Sequence, residues 1–361
     1  MANRLSSRIR HLLISSALGL SVIAPNSALA DDVPSFDIAW TIYVGWMPFG
    51  YMQDEGIIDR WADRYDIEIN LIQVNDYIGG INLYTAGRYD GATMTNMDAL
   101  TIPAAGGKDS TSLIITDYSN GNDAVVLKDG ESMSDIAGRD VHLVQYSVSH
   151  YTLARALEMA DMTERDINTV NTSDADIVAV FTQPEVSAVT AWNPQLGEIA
   201  AQPGASVVFD SSDIPGEILD MLVVDTETLN EHPELGKALT GAWYETMALM
   251  YGDDPEARDA ARSAMAEAAG TDLPGYNTQL DATFMFDTPE KKLAFATDEE
   301  LVSAMDFVRE FSARHALLGD NVTDPGFIGM SFPESATLGD ENNIQLRFNT
   351  DFIRMAADGE L

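Results

Sequence analysis

The chain has 361 residues, 45% of them hydrophobic, with 58 acidic and only 20 basic side chains, a formal net charge of -38 at neutral pH. That charge excludes nucleic acid and anionic membrane as partners, because both select for Lys and Arg. There is no cysteine, which excludes a disulfide framework, a thiol nucleophile, a zinc-cysteine site and a lipid-modified N-terminal cysteine.

In chain order, residues 1–30 read as a secretory leader, with Arg4, Arg8 and Arg10 before an apolar run from Leu12 to Ala24 and Ala28-Leu29-Ala30 as the cleavage site before Asp31. The apolar run is too short for a membrane span, and nothing later reaches roughly 18 uninterrupted apolar residues, so a free periplasmic protein without stable membrane insertion is expected. Loss of the three leader arginines takes the formal charge to -41. The acids are scattered, as in Glu55, Asp59, Asp63, Asp66 and Glu68, which fits a solvated surface adapted to a salty periplasm. The remaining length favours two lobes over one.

Strand and helix patterns then alternate. Phe36 to Gly45 is β-rich, Tyr51 to Tyr65 is an amphipathic helix, Ile67 to Val74 a strand, and Tyr77 to Ala86 a helix ended by Gly87. Ala92 to Thr95 is a short buried strand, Asn96 an N-cap, and Ala99 to Ala105 a small-residue helix closed by Gly106 and Gly107. Such a βαβαβα start predicts a parallel sheet with right-handed crossovers. Ser112 to Asp117 and Ala124 to Lys128 are strands separated by the polar crossing 118–123, and a second α/β series runs to the strand Val207 to Asp210. After the polar turn 210–217, Leu219 to Val224 is the strand that crosses back, and the chain turns helical over Leu235 to Met250 and Leu301 to Leu317. The expected organisation is therefore leader 1–30, first lobe 31–120, second lobe 121–222, and a return to the first lobe with C-terminal helices over 223–361.

Four turns at the carboxyl ends of predicted strands carry the candidate site, since crevices there bind ligands in α/β proteins. They are Gly45 to Tyr51 with Trp46 and Pro48, Thr95 to Asp98, Ser147 to Tyr151, and Thr190 to Pro194 with Trp192. Asn96 and Asp98 would serve equally as helix caps. Trp46 and Trp192, one per lobe, read as aromatic faces closing on a ligand from opposite sides. The turns hold Asp98, with Asp117, Asp123, Asp210 and Glu217 in the flanking crossovers, and no Arg or Lys. Carboxylates and π-faces favour a small cation or a neutral ligand over an anion, although the helix start at Ser147 to His150 could hold an anion by its amides. No catalytic elbow, metal spacing or phosphate loop is present: the five histidines are scattered and Gly106-Gly107-Lys108 ends a helix rather than starting one. No catalytic residue, metal or cofactor is expected.

On the leader, the VGWMPFGY turn, the Thr-Asn-Met-Asp turn, the 118–123 crossover, Val148-Ser149-His150-Tyr151 and Trp192-Asn193-Pro194, the chain resembles substrate-binding proteins of ABC importers of the taurine, sulfonate and nitrate class. It is most similar to their urea-carboxylase-associated branch, which the resemblance links to guanidine-like or urea-like compounds. The likeness covers essentially all of the chain after the leader. It implies a type II periplasmic-binding fold, two α/β lobes joined by two crossovers, a monomer, and a separate permease and ATPase as partners. It also implies ligand contact at Trp46, Asn96, Asp98, Ser149, His150 and Trp192, with Tyr51, Asn122 and Glu217 besides. The missing arginine departs from the sulfonate side of the family and favours a planar guanidinium, or urea held by Asn96 and the serines. The competing readings are an anion held by helix-start amides in the same fold, and an enzyme akin to the two-lobed pyrimidine-forming ones.

Dense acids repel one another when unscreened, so the unfolding temperature of the full chain should rise with added salt in a calorimetric series; a flat response removes the salt-adaptation reading.

Overall fold

The computed structural model describes residues 33–319 and 322–361; the leader expected over 1–30 lies outside them. Among the described residues, fourteen strands form two sheets. In chain order they are β1 (Ser35–Trp40), β2 (Glu68–Gln73), β3 (Gly91–Thr95), β4 (Ser110–Ser119), β5 (Asp123–Lys128), β6 (Asp140–Leu143), β7 (Asn168–Asn171), β8 (Ala188–Trp192), β9 (Ala205–Asp210), β10 (Leu219–Asp225), β11 (Thr283–Met285), β12 (Gly329–Ser331), β13 (Thr337–Leu338) and β14 (Ile344–Phe348). The first sheet runs β13-β12-β14-β4-β10-β3-β1-β2, with β11 also paired to β4; the second runs β7-β6-β8-β5-β9.

The expected parallel start holds for β1 against β2 and β3. The returning strand β10 wedges antiparallel between β3 and β4, and all of it lies in the first sheet. β3 is buried along its whole length and β10 nearly so, hence the near-continuous apolar runs in place of alternation. The chain passes between sheets twice, at 120–122 and 211–218. Ser211 ties the passages together: its hydroxyl lies 2.6 Å from that of Ser119 and accepts the Gly121 amide at 2.7 Å.

Local differences from the sequence expectation have identifiable causes. The helix over Tyr51 to Tyr65 is two helices, α1 (Met47–Asp54) and α2 (Ile57–Asp63), because Gly56 between them is left-handed at φ 62°. After α3 (Tyr77–Thr85), helix α4 (Asn96–Ala99) is capped by Thr95 rather than Asn96, the Thr95 hydroxyl accepting the Asp98 amide at 3.3 Å. The segment expected as a helix from Ala99 to Ala105 widens into a π turn over Leu100–Ala104, where Pro103 cannot donate and Ala105 N bonds Leu100 O instead. The C-terminal part is not purely helical: β11 to β14 add two to five residues each, too short to show alternation. No described helix is long and apolar enough to cross a membrane.

One buried charge carrier stands out against β4. Lys292, in the helix Pro289–Ala296, is 1% exposed, and its Nζ donates to Leu113 O at 3.2 Å with no carboxylate partner among the described residues. Burial holds this amine well below the usual lysine range. Lys292→Met removes a desolvated amine while keeping the volume, so denaturant unfolding should show a gain of about 1–2 kcal/mol; a loss would mean that the Leu113 bond outweighs the desolvation.

Candidate functional site

Where the two passages meet, loops of both sheets enclose a narrow cavity of about 30 Å³, room for roughly two water-sized centres. The first sheet contributes Thr41, Ile42, Tyr43 and Trp46 from the segment after β1, Tyr77 from the start of α3, Thr95 from the end of β3 and Asp220 from β10. The second contributes Asp123, Asp174, Trp192 and Val148, the first residue of α5 (Val148–Met159).

Four aromatic rings make an interlocked wall. Trp46 stacks on Tyr77 with centroids 5.9 Å apart, and edge-to-face contacts join Tyr43 to Trp46 at 5.1 Å and Tyr77 to Trp192 at 6.0 Å. Trp192 is half-buried and closes the wall from the second sheet. Such faces attract a cation or a flat delocalised ligand.

Behind and between the rings stand four buried carboxyl groups. Asp98 accepts from Tyr77 Oη at 2.7 Å and Thr95 Oγ1 at 2.9 Å, while Tyr77 Oη accepts the Thr95 amide at 2.9 Å. Asp117 accepts from Tyr43 Oη at 3.0 Å and Thr116 Oγ1 at 2.7 Å. Asp123 accepts from Ser119 Oγ at 2.7 Å. Asp220 lies directly across the β4–β10 ladder from Asp117, and both side chains are buried. No lysine, arginine or histidine forms an ion pair with any of the four among the described residues. Burial therefore raises all four, Asp98 to about 6 and Asp123 to about 7, with the Asp117–Asp220 pair raised together and Asp220 the more strongly because Asp117 faces it. Asp123 and Trp46 line this space, and their Oδ1 and Nε1 atoms are buried without a hydrogen-bond partner. Gly45 permits the arrangement, since a Cβ there would lie 2.2 Å from Asp117 Oδ2.

The residues singled out in the sequence divide into three groups. Trp46 and Trp192 line the cavity. Asn96, Asp98, Asn122 and Ser149 are buried but do not line it. Asp98 fixes Tyr77 and Thr95, which do line it. Asn96 holds the return passage, donating to Glu217 O at 3.0 Å and accepting from Leu219 N at 3.2 Å. Asn122 bridges the sheets, donating to Ala282 O at 2.7 Å and to Thr283 Oγ1 while its Oδ1 accepts from Asn193 Nδ2 at 2.8 Å. Ser149 Oγ has no partner. Tyr51, His150 and Glu217 lie away from the cavity. Tyr51 is half-buried on α1; Glu217 accepts from Tyr151 Oη at 2.6 Å and from Arg155 at 2.8 and 2.9 Å, clamping the return passage to α5.

His150 belongs to a separate trio with Glu164 and His315, whose donor atoms all fall within 4.8 Å of one another. Its Nδ1 accepts the Tyr146 amide at 3.1 Å, so the proton sits on Nε2 and is donated to Glu164 Oε1 at 2.6 Å. A metal at Nε2 would need that proton removed while Nδ1 stayed an acceptor, so the trio fits a hydrogen-bonded pair better than a metal centre. Sequence reasoning missed Tyr43, Tyr77 and Asp220 as cavity residues, because each sits inside a strand or helix pattern where an aromatic or a capping acid is unremarkable.

Two sheets joined by two adjacent passages, with the cavity between them, define a periplasmic-binding-protein fold. Solved structures agree. The periplasmic aliphatic sulphonate binding protein SsuA from Escherichia coli is 17% identical at a TM-score of 0.65, covering 80% of this chain and 95% of its own. The alkanesulfonate-binding protein SsuA from Xanthomonas axonopodis pv. citri, bound to MOPS, is 13% identical at 0.64, covering 80% and 96%. The desulfurization enzyme DSZB is 15% identical at 0.55, covering 80% and 94%. A family model described as NMT1/THI5 like matches residues 61–257, more than half of the chain, and the chain belongs to that family. None of the curated proteins matches it.

Carboxyls raised by folding bind protons that the unfolded chain has lost, so their contribution to stability is present below the unfolded value near pH 4 and is lost as pH rises through 6 to 7. The ligand-free chain should therefore melt lower at pH 8 than at pH 5 at fixed salt. Asp123→Asn, which cannot ionise, should flatten that slope and melt higher than wild type at pH 8; an unchanged slope would mean that Asp123 is ionised throughout.

Proposed function

We propose that the chain is an extracytoplasmic solute receptor of an ABC importer, and that it captures a small planar nitrogen compound, a guanidinium-type cation before urea, for delivery to a separate permease and ATPase. The observation that carries the ligand class is the cavity lining: Asp123 and Asp220 with Tyr43, Trp46, Tyr77 and Trp192, and neither Lys nor Arg. A guanidinium offers flat faces to the rings and N–H donors to the carboxyls, and its few heavy atoms suit so small a space. Asp123 is the charge partner, its unpartnered oxygen being available to a donor, and Asp98 acts one step back by holding Tyr77 and Thr95. Ligand contacts from both sheets favour the closed form, which is the state a permease would recognise. The receptor reading rests on the fold shared with the two sulfonate-binding proteins, and the leader expected at 1–30 accords with export.

The second reading is an anion such as a sulfonate, as those two receptors are named for. It is favoured by Val148, which brings the start of the twelve-residue helix α5 to the cavity. Protonated carboxyls could donate to such an anion. An enzyme is the third reading, and DSZB has this fold, but the lining carries no serine, cysteine or histidine as a nucleophile.

Isothermal titration of the full chain with guanidinium, methylguanidine, urea, taurine and nitrate separates these. Guanidinium should bind at micromolar or tighter affinity with taurine silent, and Asp123→Asn and Trp192→Ala should each weaken it by about tenfold or more. Binding of taurine or nitrate alone would keep the receptor and overturn the cation.

A further inference from the structure

Asp117 and Asp220 are opposed on neighbouring strands, Asp220 facing the cavity and Asp117 behind it. Two buried carboxyl groups set against each other without a basic partner do not both ionise, and one proton held between them removes the repulsion. The groups facing the pair from every side supply no replacement cation. Tyr43 comes from the segment after β1, Thr116 from β4 itself, Asp123 from β5, and Thr95 lies opposite Asp220 on β3. Tyr251 and Tyr276 are near enough to sense the charge of Asp117, and Arg262 is taken up by them, stacked on Tyr251 at 4.9 Å and bonded to Met250 O and Asn277. Beside the pair, Asp123 and Trp46 line the cavity, are more than nine-tenths buried, and leave Oδ1 and Nε1 without a hydrogen-bond partner, which marks the place where a ligand's donors and acceptors are expected.

Resting on the cation reading above, we propose that this receptor loads by proton–cation exchange: the Asp117–Asp220 pair holds one proton between its carboxyls in the empty site and surrenders it to solvent when the cation takes its place beside Asp220. The balance is one proton out for one positive charge in, with no bond to carbon made or broken, so the buried cluster keeps the same net charge in both states. That constancy is the physical driver. Without the cation, a second negative charge on the pair would face Asp123 across a small, low-dielectric space; with it, the charge is neutralised at contact distance. Loading then tightens as the medium becomes more alkaline, and acid unloads the site.

The test is calorimetry of the full chain with guanidinium chloride at pH 8, above the range near 7 in which Asp123 gives up its own proton, at fixed ionic strength and in buffers of low and high ionisation enthalpy. Expected is a buffer-dependent heat equivalent to about one proton released per guanidinium, and a dissociation constant that falls by up to about tenfold per pH unit from pH 8 upward. Asp220→Asn keeps a permanent donor toward Asp117 and should bind with heats that no longer depend on the buffer. Carbon NMR of the Asp117 and Asp220 carboxyls in the empty wild-type chain gives a second reading that needs no variant to fold: at pH 6 the pair should titrate as one unit still holding a proton. Guanidinium binding with buffer-independent heats, or a fully ionised pair in the empty chain, overturns the exchange and leaves the cation receptor standing. Silence of guanidinium with proton uptake on taurine binding overturns the cation reading itself and the exchange with it.

Discussion

The structure depends on four carboxyl groups buried without a basic partner at the place where the chain passes between its sheets. Ionised groups there would cost several kcal/mol each, so each is hydrogen-bonded by a neutral donor, a tyrosine, a threonine or a serine, or shares a proton with its neighbour. Much of the surrounding order follows from supplying those donors. Tyr43 must reach Asp117, Tyr77 must reach Asp98, and Gly45 must lack a side chain so that Asp117 fits. The aromatic wall is thus a consequence of the carboxyl cluster as much as a partner to it.

Around this centre the passages are held by polar contacts as well as by buried apolar residues such as Ile214 and Ile218, which join the core shared by both sheets. Ser119, Ser211 and Asn122 bind the strands that leave the first sheet, while Asn96 and the Arg155–Glu217–Tyr151 clamp bind the one that returns. Backbone segments fixed by a few hydrogen bonds yield to small changes in the cleft more readily than packed cores do. Asp220 on one side of the cavity and Trp192 on the other stand on the two sheets that these hydrogen bonds tie together.

The sequence was legible where a pattern is local. The alternation of apolar runs up to Asp210, the turns at strand ends and the two tryptophans can all be read from neighbours in the chain, and Trp46 and Trp192 do line one cavity. His150, Glu217 and Tyr51 read equally well as contacts, yet the fold spends the first two on Glu164 and Arg155 and leaves Tyr51 on the flank of α1. Nothing in the order of residues around them distinguishes a polar group aimed at a cleft from one aimed at another helix.

Sequence by itself determined the class of architecture, the acidic surface, the lack of thiol chemistry and the shortage of basic residues in the binding turns, because composition and period-2 or period-3.6 patterns fix these without reference to distant contacts. Only the tertiary structure decided which acids meet. Asp117 and Asp220 are more than a hundred positions apart, and they become a pair solely because β10 returns antiparallel beside β4 in a register that sets one against the other. Register across such a span is chosen by the packing of whole sheets, so the proton they share, and the chemistry of the cavity with it, is a property of the fold rather than of any stretch of the chain.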